Sequence, residues 1–274
     1  MSKWLTFQKI LPGCEEGNAE AWRVFLADYT SLALQVLRVY SQWAPEACWD
    51  AWRDALYALS AKGCATLRGF SHQSEREFLV DLRSFLQDWA ATKLDSTRDA
   101  TDPPAPTAQT LGALLDGLPL LHQEIAFLTL AGYSQASIES ILRISPAVAG
   151  EGLRRVETRY ARVLERNEDR CPWPSAWITL CRSARADAQK DCAPLRQLIR
   201  MLDGQATWYD KSPAETHRAH CLHCLELWTS LLEVVAWDRT RQSWTPERID
   251  PLMVATSAGP PQAQKSLLAR LFAK

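Results

Sequence analysis

Residues 17–40 read GNAEAWRVFLADYTSLALQVLRVY, and their spacing sets the fold class. Ala21, Trp22, Phe25, Leu26, Tyr29, Leu32, Leu34, Val36 and Leu37 recur at helical intervals, giving one long amphipathic run. Asn18, following Gly17, supplies a side-chain oxygen where a helix start needs an acceptor. The same period returns in Trp49, Trp52, Ala55, Leu56 and Leu59, and again in Phe78, Leu79, Leu82, Phe85, Leu86 and Trp89. Strand-like alternation is almost absent, so the expected fold is all-α. The twelve tryptophans mostly fall on these apolar stripes, and core packing is the expectation for each.

With 274 residues, 47% apolar and 23% charged, the chain has the composition of a globular protein and the length for two or three small domains. A formal charge of −1 exerts no global pull on nucleic acid, so any contact with DNA needs a local patch. The N-terminus lacks the basic, apolar, small-residue pattern of a leader, and no apolar run approaches 18 residues. The expectation is a soluble, cytoplasmic protein with no membrane contact. In that compartment eight cysteines point to metal binding or thiol chemistry before disulfides.

Two interruptions divide the helical pattern. Asp102-Pro103-Pro104-Ala105-Pro106-Thr107 reads as a linker, and a polar run from Arg166 meets Cys171-Pro172-Trp173-Pro174. The expected organisation is a helical domain over 1–101, a linker over 102–110, and further domains over 111–167 and 175–256. A soft stretch at Ser257-Ala258-Gly259-Pro260-Pro261 then leads into a short C-terminal helix within 257–274 that carries Leu267, Leu268, Leu271 and Phe272.

The third domain carries the clearest chemistry. His217-x3-Cys221-x2-Cys224, with Cys192 25 residues upstream, offers one imidazole and three thiolates, the donor set of a closed structural zinc site. On one continuous helix His217, Cys221 and Cys224 would share a stripe. A Cys-x2-Cys pair also serves redox chemistry, and free cysteines often simply fill cores. His220 and His223 compete with His217, and Cys171 and Cys181 compete with Cys192.

In the middle domain, Leu114, Leu115, Leu118 and Pro119 lead into a helix around Gln123 to Leu130. Gly132-Tyr133-Ser134 separates it from a helix over Gln135 to Leu142, and Arg143-Ile144-Ser145 from another beginning at Pro146. Ser134 and Ser145 stand at cap positions, and Pro146 sits in a first turn where its missing N–H costs nothing. Two short helices so joined, the second followed by Arg154, Arg155, Arg159 and Arg162, read as a helix-turn-helix with a local positive patch. Ser145, Arg154, Arg155 and Arg159 are the candidate DNA contacts.

The stretch LDGLPLLHQEIAFLTLAGYSQASIESILRISPAVAGEGLRRVETRYARVL resembles region 4 of extracytoplasmic-function sigma factors. GNAEAWRVFLADYTSLALQVLRVY and LRGFSHQSEREFLVDLRSFLQDWAATKL are more loosely similar to region 2 of that family. The segment LIRMLDGQATWYDKSPAETHRAHCLHCLELWTSLLEVV resembles the zinc-binding anti-sigma domain, on the His-x3-Cys-x2-Cys element after Leu202-Asp203-Gly204, with Cys192 in the place of the additional ligand. These resemblances imply a region 2-like bundle, a region 4-like helix-turn-helix and a zinc-clamped anti-sigma-like domain on one chain. They imply core RNA polymerase as a partner and promoter DNA as a weak or conditional one. They also imply an intramolecular contact through which the zinc domain blocks the sigma-like regions until ligand oxidation or metal exchange releases it.

The sequence departs from that pattern in two places. The start of the recognition helix is Ala147-Val148-Ala149-Gly150-Glu151-Gly152, which lacks side chains able to read base edges and whose glycines weaken a helix by roughly 1 kcal/mol each. Residues 1–100 hold 11 basic against 13 acidic side chains, with Glu75, Glu77, Asp81 and Asp88 in the run expected to face promoter DNA. A sigma-like scaffold that binds a protein partner, with a purely structural zinc and no promoter recognition, therefore stands beside the regulator. Neither a zinc-protease motif nor a phosphate-binding glycine loop is present, so no enzyme is expected.

Overall fold

A computed structural model describes residues 7–41, 43–71, 73–97, 108–167 and 173–257. The described residues contain helices and no strand, as the 3.6-residue period requires. They group into two compact units, one of 7–38, 43–71, 73–92 and 237–257, the other of 39–41, 93–97, 108–167 and 173–236. The helix-turn-helix stretch and the cysteine-histidine segment, read from the sequence as separate domains, thus fall in the same unit. The C-terminal helix expected within 257–274, and the linker before residue 108, lie outside the described residues.

The first unit is built from α1 (Phe7–Glu15), α2 (Ala19–Ser41), α3 (Pro45–Arg68) and α4 (Glu75–Thr97). Asn18 caps α2 as expected, its Oδ1 accepting from the N–H groups of Glu20 at 2.9 Å and Ala21 at 3.2 Å. Phe25, Tyr29 and Phe78 interlock edge to face or tilted at 5.1–6.2 Å between centroids, and Trp22, Trp52 and Trp89 are buried in the same unit. Trp52 keeps its indole N–H satisfied by donating to Thr30 Oγ1 at 3.1 Å.

Helix α3 is interrupted at Lys62, Gly63 and Cys64, whose φ values of 50°, 64° and 60° form a left-handed turn. Only glycine adopts that region freely, so Lys62 and Cys64 hold a conformation that costs roughly 1–2 kcal/mol per residue. Cys64 is buried by this turn, with its thiol 3.6 Å from the Cys14 carbonyl oxygen.

The last described helix groups with the N-terminal bundle, whereas the sequence placed residues 175–256 together. Helix α13 (Pro246–Ser257) lies against α3 and buries Ile249, Leu252 and Ala255. The approach to it is fixed by Trp244 N–H donating to the Ala27 carbonyl at 2.9 Å, Arg241 pairing with Glu75 at 2.6 Å, and Ser60 Oγ donating to the Ala255 carbonyl at 3.1 Å. Glu75, Glu77 and Asp81 therefore do not form a bare acidic face. Glu75 also accepts from Tyr29, Glu77 accepts from Ser71 Oγ at 2.7 Å, and Asp81 accepts from Ser71 N–H at 2.6 Å.

The second unit contains α5 (Ala108–Leu115), α6 (Leu120–Ala131), α7 (Gln135–Leu142), α8 (Pro146–Asn167), α9 (Trp173–Ala186), α10 (Leu195–Leu202), α11 (Trp208–Arg218) and most of α12 (Leu222–Thr240). The linker read as 102–110 is thus already helical from Ala108. Helices α5, α6 and α7 pack on α8, and α9 covers α5 and α6, with Phe127 and Trp177 edge to face at 4.5 Å. The α6–α7–α8 boundaries follow the turn chemistry. Gly132 ends α6 at φ 99°, Ser134 Oγ accepts from Ser137 N–H, and Ser145 Oγ accepts from Val148 N–H.

One of the two glycines of α8 acquires a packing reason that helix propensity alone conceals. A Cβ on Gly152 would stand 2.3 Å from Ile125 Cδ1 and 3.5 Å from His122, whereas one on Gly150 would meet only Gln135 at 3.8 Å. Gly152 is what lets α8 approach α6. Gly152→Ala is expected to destabilise the protein by about 1–3 kcal/mol through overpacking, while Gly150→Ala is neutral or stabilises by up to about 1 kcal/mol. Denaturant melts of the two variants check the opposite signs.

Not every tryptophan is core. Trp22, Trp52, Trp89, Trp177 and Trp237 are buried, but Trp208, with Tyr209 beside it, is 72% exposed at the start of α11. Helical spacing could not separate them, because α11 has almost no buried face.

Candidate metal centre

The metal-ligand candidates are brought together by three short-range devices. Helix α10 ends in a reversal in which Gly204, at φ 72°, lets Gln205 N–H reach the Arg200 carbonyl at 2.8 Å. Helix α11 then starts on a capping box, Thr207 Oγ1 accepting from Asp210 N–H and the Asp210 carboxylate accepting from Thr207 N–H. Finally, α11 stops at Arg218, and residues 219–221 turn the chain into α12.

That turn corrects the single-stripe expectation. His217 lies in the last turn of one helix, Cys221 precedes the next, and Cys224 lies in the first turn of α12. A straight helix would spread these three side chains along its axis, whereas the break folds them toward a common point. Cys192, on the loop between α9 and α10, completes the group.

The Sγ atoms of Cys192, Cys221 and Cys224 and a ring nitrogen of His217 all lie within 4.8 Å of one another. Cys192 Sγ is 3.5 Å from His217 Nε2 and 3.6 Å from Cys221 Sγ. All three cysteines are free thiols. The cluster could hold a metal ion. Of the competing histidines, His220 is exposed and His223 turns its Nδ1 to the Ala184 carbonyl at 3.1 Å. Cys181 is buried in α9 outside the cluster, and Cys171 lies outside the described residues.

Backbone N–H groups surround the sulfurs. Gln189 N–H donates to Cys192 Sγ at 3.2 Å, and the backbone N–H groups of Cys224 and Ala193 favour the charged forms of Cys221 and Cys224 respectively. Burial opposes ionisation of Cys192, but the Gln189 N–H, His217 and the neighbouring thiols outweigh it and hold this thiol below the ordinary range. Burial raises Cys221, and it pushes Cys224 up to about 12 with the adjoining sulfurs adding to the effect. Three sulfurs packed so closely ionise together only when a cation compensates them.

The turn is also fastened to α6 within the same unit. Gln123 Nε2 donates to the Ala219 carbonyl at 2.9 Å, and Arg218 pairs with Glu124 at 3.2 Å, both side chains buried. The Arg218 guanidinium lies over the Trp228 ring at 4.1 Å. Sequence reading missed this pair, because a charge on an amphipathic helix shows no sign of burial until its neighbour is known.

The candidate DNA contacts are largely engaged. Ser145 uses its hydroxyl to cap α8. Arg154 and Arg155 both bind Glu151, the latter at 2.8 Å, and that double pairing holds the Glu151 carboxyl below its usual range. Arg159 donates to the Ala113 carbonyl at 3.2 Å and to the Asp116 carbonyl, closing the end of α5. Among the described residues no helix is long and apolar enough to cross a membrane. No protein family, curated protein or solved structure compared with the chain gives a match.

Proposed function

We propose that the cluster is a structural zinc site held by Cys192, His217, Cys221 and Cys224. A tetrahedral zinc with bonds of about 2.3 Å to sulfur and 2.0–2.1 Å to nitrogen separates two sulfurs by about 3.8 Å and sulfur from nitrogen by about 3.6 Å. Two of the six donor separations, 3.6 Å and 3.5 Å, match that geometry, and all six lie within 4.8 Å. Four protein donors fill a tetrahedral shell and leave no open position for catalysis. The soft, mostly sulfur donor set disfavours magnesium and calcium.

Taken with the sequence resemblances to sigma regions 2 and 4 and to the anti-sigma domain, that site supports reading the chain as a sigma factor-like regulator of transcription initiation that carries its own zinc-binding, anti-sigma-type segment and is self-inhibited. The observation that carries this reading is the fastening of the ligand turn to α6 through Gln123 and Glu124. A covalently joined inhibitor acts at an effective concentration in the millimolar range, enough to keep a weak contact closed. The deciding experiment is a pull-down of core RNA polymerase followed by transcription from a promoter library, with zinc-loaded, chelated and peroxide-treated protein. Polymerase binding that rises when zinc is lost supports self-inhibition, and failure of every form to bind polymerase or initiate removes the sigma reading.

The second reading, a sigma-like scaffold with a purely structural zinc and no promoter recognition, is favoured by the engagement of Arg154, Arg155 and Arg159. A protein making six to ten phosphate contacts loses roughly 10³–10⁵ in DNA affinity between 50 and 200 mM salt. With its arginines occupied, the isolated protein is expected to change by less than tenfold over that range, as measured by fluorescence anisotropy on duplex DNA. A steep salt dependence would restore the arginine patch as a DNA surface.

A further inference from the structure

The loop that delivers Cys192 delivers a second group to the metal centre. Asp191, its neighbour in sequence, places Oδ2 3.0 Å from Nδ1 of His217, on the opposite side of the ring from Nε2 and the sulfurs. The loop is held as a turn by Cys192 N–H donating to the Gln189 carbonyl at 3.2 Å, so carboxylate and thiol are presented by one local structure. We infer that Asp191 is a positioning residue for the metal, fixing His217 in the orientation and tautomer that present Nε2 as the ligating nitrogen. This rests on the zinc reading of the cluster.

The chemistry follows from the two ring nitrogens. With Nδ1–H donating to the carboxylate, the proton is kept off Nε2, which then has its lone pair free for the ion. A flip of the ring would direct Nδ1 at the sulfurs and abandon the hydrogen bond, so the carboxylate selects one of two orientations. At 69% exposure the Asp191 side chain lies at the rim of the site, where its repulsion of the thiolates is damped by solvent while the hydrogen bond remains direct. The same exposure makes Asp191 dispensable for packing.

The test is zinc affinity of the full chain in competition with a chromophoric chelator, for wild type, Asp191→Ala and Asp191→Asn. Asp191→Ala is expected to weaken zinc about 10–100-fold, and Asp191→Asn, whose amide oxygen still accepts from Nδ1–H, to retain most of the affinity. A second readout is the His217 Nδ1 proton in ¹H–¹⁵N spectra of the zinc-saturated proteins. It should be protected from exchange in wild type and Asp191→Asn and exchange rapidly in Asp191→Ala. Asp191→Ala with affinity within twofold of wild type, or with an unchanged Nδ1 proton, overturns the assignment. Wild-type protein that binds no zinc overturns the zinc reading itself, a separate result.

Discussion

Stripping the metal with a chelator, or replacing Cys224 by Ser, is expected to melt α11 and the loop carrying Cys192 while leaving the α5–α8 helices folded. Helix α11 has little else to hold it. It is 11 residues long, contains Pro213, and has Arg218 as its only buried side chain. Isolated helices of that length are marginal in water, and an interior proline removes one of the few backbone hydrogen bonds. A structural zinc in small peptide sites contributes on the order of 10 kcal/mol of apparent binding free energy at neutral pH, and zinc bound here would couple that energy to ordering residues 187–224. Hydrogen exchange should show amides of 208–218 losing protection on chelation, with those of 120–142 retaining most of theirs. Equal protection with and without metal would mean that the cluster contributes nothing to the fold.

Removing one partner of the Arg218–Glu124 pair is expected to cost about 3–5 kcal/mol, and removing both together far less. The pair sits in an environment that penalises both charges. Burial pushes the Glu124 carboxyl up, with Arg218 pulling it back only in part, and burial likewise lowers the Arg218 guanidinium. Two guanidinium nitrogens of Arg218, Nε and Nη1, are buried without a hydrogen-bond partner. Each ion is therefore under-compensated, so an orphaned partner is expensive, whereas a matched apolar replacement escapes both penalties. Denaturation of zinc-loaded Glu124→Ala, Arg218→Ala and the double variant Glu124→Leu/Arg218→Met tests this. Each single variant should fall by several kcal/mol, and the double should lie near wild type or above it. Additive losses in the double would show that packing, and not charge, holds the turn to α6.

These two expectations give the cysteine-histidine cluster a structural meaning. A metal ion held by the cluster would order a short helix with almost no hydrophobic face, and that helix ends in the arginine that pairs with Glu124 on α6. Loss of the ion would release a buried carboxylate in the same step. A thiol-directed signal would then act on the helix-turn-helix stretch through Glu124 and Gln123, as the self-inhibited reading requires.

The sequence by itself determined the helices and their caps, because these depend on interactions within a few residues. The spacing of Ala21 to Leu37 marked α2, Asn18 its start, and Gly132, Ser134 and Ser145 the turns around α7, each by a local hydrogen bond or a permitted φ. It also singled out the four side chains of the cysteine-histidine cluster, since a donor set and its short spacings are local properties. Tertiary structure decided what each polar group does. The break after Arg218 turned a helical stripe into a converging cluster, α13 joined the N-terminal bundle, and Arg159 turned to the end of α5. Gly152 became a contact point and Arg218 a buried ion. These outcomes depend on which surfaces meet across tens of residues, and a charge or a glycine reads the same in sequence whether it faces water or a neighbouring helix.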